Sequence, residues 1–314
     1  MFAVVATLMA VGVQLVAAQV EVPADRTEYE LPNDGLFPEG IAVDEASGAF
    51  FVSGAGAGGI YRVDLATGEA TEFLAPGTRA GFTTIGMAVD GNGHLWVAGG
   101  SSGEVLVFDT ATGEQLATFT TPAGEAMFIN DVVVTANGDA YLTDSNRPVL
   151  WRIPAGSVTA GATGEAEAWL DFAGTAFEYQ EGFNANGIAA TPDGNALIVV
   201  SGGSGELFHI DVATKEVSAI ELPEPLPGGD GLVLDGQTLY VVQNGADRVA
   251  VVELSEDMSS GTLATFLEDE RLSSAATAAL VGDRLLVVNA QFAAMQGTPT
   301  LPFTVSVIPV GGGE

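Results

Sequence analysis

The sequence predicts an all-β protein, a six-bladed β-propeller with four-stranded blades. Three observations predict it. A short apolar run of one pattern occurs six times, starting at residues 39, 85, 130, 186, 230 and 276. Those starts lie 46, 45, 56, 44 and 46 residues apart, close to the ~45 residues that one propeller blade needs. No repeat carries the helical period, and 41 glycines in 314 residues suit a chain of many tight turns.

The first strand of each blade is read from Glu39-Gly-Ile-Ala-Val-Asp44, Ile85-Gly-Met-Ala-Val-Asp90, Asn130-Asp-Val-Val-Val-Thr135, Asn186-Gly-Ile-Ala-Ala-Thr191, Asp230-Gly-Leu-Val-Leu-Asp235 and Ala276-Thr-Ala-Ala-Leu-Val281. Each leads through a polar or glycine-bearing turn into a second apolar run. These are residues 49–52, 94–97, 140–142, 196–200, 238–242 and 284–288. Third strands follow at 60–64, 105–109, 150–153 and 207–211, and fourth strands at 70–74 and 115–119. Runs rich in Val, Ile, Leu and aromatics, bounded by Gly, Asp, Asn and Ser, read as hairpin-linked strands.

The repeats fill residues 36–310, so 19–314 is read as one domain. The longest spacing falls on a Gly/Ala-rich insertion at 154–181, expected to be a surface loop in the outer half of blade three. An open sheet edge invites pairing, and Thr27–Leu31 is the candidate fourth strand of blade six, beside the run 303–310. Residues 1–18 read as an export signal: an apolar run ending in small residues at Val16-Ala17-Ala18, with an uncleaved membrane anchor as the alternative. The expected location is therefore secreted or extracytoplasmic.

Charge and composition narrow the function. With 41 acidic against 9 basic residues the net charge is −32, which repels nucleic acid and anionic membrane. The expected partner is a small molecule, and the default state is a monomer. No cysteine is present, which excludes disulfides, thiolate metal sites and cysteine nucleophiles. His94 and His209 are the only histidines, too few for a redox or zinc centre built on imidazoles, and neither falls on a first strand.

First strands line a propeller's channel, so the six starting residues form one ring: Glu39, Ile85, Asn130, Asn186, Asp230 and Ala276. Four of them carry side-chain oxygen. Carboxylates converging on an axis are costly to desolvate and repel one another, and a cation between them removes both costs. Two carboxylates and two amides form a hard donor set, suited to Ca²⁺, or to Mg²⁺ or Mn²⁺. Taken singly, each Asn or Asp is also an ordinary strand-entry residue; the register across four blades is what points to a site.

The segments Phe37-Pro-Glu-Gly-Ile41, Phe128-Ile-Asn-Asp-Val132, Tyr141-Leu-Thr-Asp-Ser145, Asn186-Gly-Ile188 and Gly229-Asp-Gly-Leu232 resemble the senescence marker protein/gluconolactonase/strictosidine synthase-like superfamily of calcium-dependent lactonase propellers. Trp169-Leu-Asp-Phe172 and Leu286-Val-Val-Asn289 are similar to its secreted bacterial subgroup. The resemblance implies a divalent metal held by Glu39, Asn130, Asn186 and Asp230. It also implies a metal-dependent hydrolase of a lactone or related ester. Gluconolactonase-like members usually place a sugar-binding arginine where this chain has Phe128, which argues against sugar lactones. Asp230 and Asp131 are the candidate catalytic bases, and Asn184, Phe128 and Phe183 the candidate substrate contacts. The alternative is a non-catalytic propeller that binds a small molecule or protein around a structural Ca²⁺.

Overall fold

The computed structural model describes residues 21–310 apart from Asn33, Ala57, Ala80 and Glu125. The expected export signal at 1–18 lies outside the described residues. Six sheets follow one another in chain order around a central axis. Blade one runs Pro38–Asp44, Ala49–Gly54, Ile60–Asp64 and Ala70–Leu74 from axis to rim. Blade two runs Met87–Val89, His94–Ala98, Glu104–Asp109 and Gln115–Thr120, and blade three Ile129–Val134, Ala140–Asp144, Val149–Ile153 and Glu167–Asp171. Blade four comprises Ala185–Ala190, Ala196–Ser201, Leu207–Asp211 and Val217–Ile220; blade five, Gly229–Asp235, Thr238–Gln243, Arg248–Leu254 and Gly261–Glu268. Blade six has Ala275–Val281, Arg284–Asn289 and Phe303–Pro309, and its outermost strand is Glu28–Leu31, paired antiparallel with Phe303–Ser306.

The apolar residues of each sheet face the next blade, so the core is divided among the six junctions. Phe50, Leu286 and Phe303 fill the junction of blades six and one; Phe51, Leu95 and Leu106 that of one and two. Trp96 and Trp151 belong to the core between blades two and three, Tyr141 and Phe208 to that between three and four. Ile198 and Val241 pack between four and five, Val242 and Leu285 between five and six. Each residue of the core thereby stabilises two sheets, at roughly 1.5–3 kcal/mol per fully buried large side chain.

The second strands run one or two residues beyond the apolar runs read from sequence, ending on Ser53-Gly54, Asp144, Ser201, Gln243 and Asn289. Those ends are buried and polar. The insertion also differs from a plain surface loop. Ala162–Glu165 adds in parallel to Gln115–Thr120 as a fifth strand of blade two, and Glu167–Asp171 supplies the rim strand of blade three. The segment is ordered by the burial of Ala166, Trp169, Phe172 and Phe177, with Phe177 stacked on Phe208 at 4.3 Å.

Near the axis the blades approach so closely that small residues are obligatory. A Cβ at Gly187 would lie 2.2 Å from the Asp230 carbonyl oxygen, and one at Gly231 would lie 2.1 Å from Thr277 Oγ1. These glycines set the width of the channel.

Candidate functional site

The innermost strands of blades one, three, four, five and six all break register at the same place, between Pro38 and Ile41, Ile129 and Val132, Ala185 and Ile188, Gly229 and Leu232, and Ala275 and Ala278. Such a bulge leaves residues outside the ladder and re-aims their side chains. The residues released are Glu39, Asn130, Asn186 and Asp230, with Ala276 in blade six, each followed by the second residue of its bulge. In blade two the equivalent Ile85 and Gly86 precede the strand, and Gly86 donates to the Asn130 carbonyl at 2.9 Å.

Glu39, Asn130, Asn186 and Asp230 line two cavities at once. One is the channel, about 390 Å³, walled beyond them by Val43, Val89, Val133 and Leu280. The other is a mouth of about 610 Å³, walled by Ile85, Phe128, Phe183, Phe292 and Met295. The four polar residues form a septum between an apolar mouth and a channel of mixed polarity that also carries Asp131 and Asp235.

Hydrogen bonds fix how the two amides point. Ser145 Oγ donates to the Ala185 carbonyl at 2.7 Å, so towards Asn130 Nδ2, at 2.8 Å, it accepts. The Gly229 carbonyl can only accept, so Asn186 presents Nδ2 to it at 3.3 Å. Both amide oxygens are left for the site. Asn244 Nδ2 reaches Asp230 Oδ2 at 3.3 Å while donating to the Ser274 and Ala275 carbonyls, which orients that carboxylate. These bonds also staple blade three to four, four to five and five to six.

The electrostatics are unfavourable for bare carboxylates. Burial, then the charges of Asp230 and Asp131, hold the Glu39 carboxyl well above its ordinary range. Glu39 is 7% exposed, and its Oε2 has no hydrogen-bond donor among the described residues. Burial and then the Asp131 charge push Asp230 up to about 8, against hydrogen bonds from Asn186 and Asn244. Burial pushes Asp131 to about 7, opposed by the N–H groups of Val132 and Ile188. A positive charge at the septum relieves all three groups.

Among the described residues, no three Asp, Glu or His side chains gather as a metal-ligand group. The axial set mixes two carboxylates with two amide oxygens, and its donors fit a hard divalent cation.

Of the other candidate residues, Phe128 and Phe183 do line the mouth, packed edge to face at 5.0 Å. Asn184 is 4% exposed and stands behind it. Its Oδ1 accepts from the Gln180 N–H, and its Nδ2 donates to the Gln180, Gly182 and Ser145 carbonyls. All its hydrogen-bonding capacity is spent on the loop that carries Phe183, which corrects its reading as a substrate contact. Asp131 faces the channel, away from the mouth, with Oδ1 on the Val132 N–H at 2.8 Å and Oδ2 on the Ile188 N–H at 3.2 Å. It ties blade three to blade four beneath the ring, which corrects its reading as a base for a substrate in the mouth. Phe37 packs on Phe303 at 5.1 Å in the junction of blades six and one. His94 is held by Asp90, Nδ1 to Oδ2 at 3.0 Å, and His209 pairs within blade four.

Sequence reading missed Ser145, Thr143 and Asn244. Thr143 Oγ1 accepts from the Asp131 N–H and donates to the Asn186 carbonyl at 2.7 Å. The signal for them was present: each lies at or just past the end of a second strand, where a polar residue breaks an apolar run.

Fold and ring together define the class: a six-bladed β-propeller with an oxygen-lined axial site under an apolar mouth. Solved structures with the same fold resemble the chain. Regucalcin from Agrobacterium tumefaciens, described as a calcium-binding protein, is 19% identical with a TM-score of 0.63, covering 90% of this chain and 94% of its own. A presumed gluconolactonase is 15% identical with a TM-score of 0.64, covering 91% and 93%. At these identities the likeness establishes the fold alone. No protein-family model matches the chain. An uncharacterized protein of Salmonella typhimurium, YncE, is 26% identical over 221 residues, 69% of this chain and 56% of that protein's length.

Proposed function

We propose that the chain is a divalent-cation-dependent hydrolase of a lactone or related ester, with Ca²⁺ held by Glu39, Asn130, Asn186 and Asp230. The observation that carries the reading is Glu39 Oε2, buried at the floor of an apolar mouth and without a donor among the described residues, close to the charges of Asp230 and Asp131. Regucalcin's calcium binding and the presumed gluconolactonase support the same direction. A bound cation supplies charge stabilisation at the carbonyl oxygen as hydrolysis proceeds.

The chain's own residues do the rest. Asn130 and Asn186 direct their oxygens to the axis, and Asn244 holds Asp230. Glu39 and Asp230 both face the mouth as well as the channel, and Asp230, the one oriented by Asn244, is the carboxylate assigned to take a proton from an attacking water. The water oxygen bonds to the carbonyl carbon, the ester C–O bond breaks, and that proton passes to the departing oxygen, giving the hydroxy acid. Phe128 and Phe183 exclude water from one side of the mouth. The apolar leader read at 1–18 supports action outside the cytoplasm, and the monomer follows as the default.

The test assays purified protein against lactones and aryl esters with chelator and with added Ca²⁺. Turnover that needs Ca²⁺ and is lost in Asp230→Ala, with the fold intact by circular dichroism, supports the reading. A second reading, a small-molecule-binding propeller with structural Ca²⁺, is favoured by one observation: among the described residues no Lys, Arg or His lines the mouth to assist catalysis. Tight Ca²⁺ binding with no turnover across the panel selects it.

A further inference from the structure

The mouth is built by two loops that expose what the rest of the surface hides. Among the described residues the exposed large hydrophobics are Phe183 at 49%, Met295 at 43% and Leu301 at 43%. Phe183 and Met295 both line the mouth, and Leu301 belongs to the same loop as Met295. Isolated exposed apolar residues need no explanation, but their confinement to one rim does.

Both loops are fixed in place. On one side, Asn184 bonds the Gln180, Gly182 and Ser145 backbone and so braces Phe183, which rests edge to face on Phe128. On the other, Gln291 closes an Ω-shaped loop through a paired contact with Thr300, Nε2 to the carbonyl at 2.8 Å and Oε1 from the N–H at 2.7 Å. Gln291 and Ala290 are themselves rooted on the Ser273 and Ser274 carbonyls. The loop carries Phe292 and Met295 to the wall facing Phe128 and Phe183. The result is a pair of apolar jaws standing above the oxygen ring.

The charge of the mouth restricts what enters. Among the described residues its ionisable ones are Glu39, Glu181 and Asp230, all acidic, and no basic side chain lines it. With the cation offsetting Glu39 and Asp230, Glu181 is the charge that remains at the mouth, and a carboxylate or phosphate on the ligand finds no basic side chain there among the described residues. Sugar hydroxyls would meet Ile85, Phe128, Phe183, Phe292 and Met295, with little to replace the water they lose.

We infer that the mouth selects uncharged molecules carrying an apolar acyl or aryl chain, gripped between the Phe128–Phe183 pair and the Phe292–Met295 loop with the polar head on the ring. The inference deepens the proposed hydrolase reading and rests on the same site. Phe292 and Met295 are the specificity residues it adds, and Asn184 and Gln291 position the two jaws. A cavity of about 610 Å³ is of the size that holds a drug-sized molecule.

The experiment uses Ca²⁺-saturated protein and a series of γ-lactones with alkyl side chains from methyl to octyl, beside a polyhydroxylated sugar lactone. The matching γ-lactams, which resist hydrolysis, are titrated by calorimetry. The expected kcat/KM rises about two- to four-fold per methylene, and the lactam Kd falls in step. Phe183→Ala and Met295→Ala flatten both slopes, while Leu301→Ala, on the same loop outside the lining, keeps them. Flat slopes in turnover and in lactam binding, or a preference for the sugar lactone, overturn the inference while leaving hydrolysis standing. Chain-dependent lactam binding without turnover of any lactone supports the jaws and overturns the hydrolase.

Discussion

Ser145 decides which end of Asn130 faces the channel. Its hydroxyl proton is committed to the Ala185 carbonyl at 2.7 Å, so only the Asn130 amide nitrogen can approach it, at 2.8 Å, and the amide oxygen turns to the axis. Ser145→Ala removes that constraint with the loss of about 1 kcal/mol of hydrogen bonding. Groups that orient a ligand typically contribute 10- to 100-fold in metal affinity, so Ca²⁺ binding should weaken by about tenfold in a calorimetric titration. Unchanged affinity would show that Asn130 needs no such support.

The carboxylates make stability depend on pH in a definite direction. Asp131 and Asp230 titrate near 7 and 8 in the folded chain against an ordinary 3.8. Their contribution to stability is therefore complete below about pH 4 and is lost as the pH rises through 7 to 8. In chelator the Tm should fall between pH 5 and 9, and the rise in Tm produced by Ca²⁺ should grow over the same interval. Scanning calorimetry at pH 5, 7 and 9 measures both; a Ca²⁺ increment that shrinks with pH would contradict the charge account.

Asp131 and Asp230 differ in what they touch, so their amides should differ in effect. Asp230→Asn removes a ring charge and should reduce Ca²⁺ affinity at least 100-fold. Asp131→Asn removes a repelling charge one residue beneath the ring and keeps an acceptor for the Ile188 N–H at the loss of the one for the Val132 N–H, and should cost less than tenfold. Equal losses in the two variants would make Asp131 a ligand of the cation, contrary to this account.

Channel width is set by backbone contact. Gly187→Ala would bring a Cβ to 2.2 Å from the Asp230 carbonyl oxygen, where no side chain can yield. It should destabilise the protein by about 3 kcal/mol or more in urea and disturb Ca²⁺ binding as well. Full stability in that variant would mean that blades four and five are not packed as described.

The fold was legible because a strand repeated six times announces itself through period alone, and the ring residues because they open each copy. What supports the ring was hidden by the same rule. Apolar runs were read as ending at Val52, Leu142 and Val242, yet the strands continue through Ser53, Asp144 and Gln243. Buried polar residues there bond the neighbouring blade, as Ser53 does to the Ile85 carbonyl at 2.6 Å, or brace their own, as Asp144 does through the Phe128 N–H. Pattern cannot distinguish a polar residue that stops a strand from one that joins two sheets. Asn184 and Asp131 were misread for a related reason: proximity in sequence to ring residues does not say which side of the septum a side chain faces, or whether backbone groups already occupy it. The insertion escaped because its pairing with Gln115–Thr120 is parallel and non-local, with no hairpin to mark it.

The central claim is that four oxygens from four blades hold one cation, and titration of metal-stripped protein with Ca²⁺ tests it most directly. The account predicts one ion per chain, with binding abolished in the double variant Glu39→Gln/Asp230→Asn while that variant keeps the wild-type circular dichroism. No binding heat in the wild type, or a full equivalent still bound by the double variant, would contradict it.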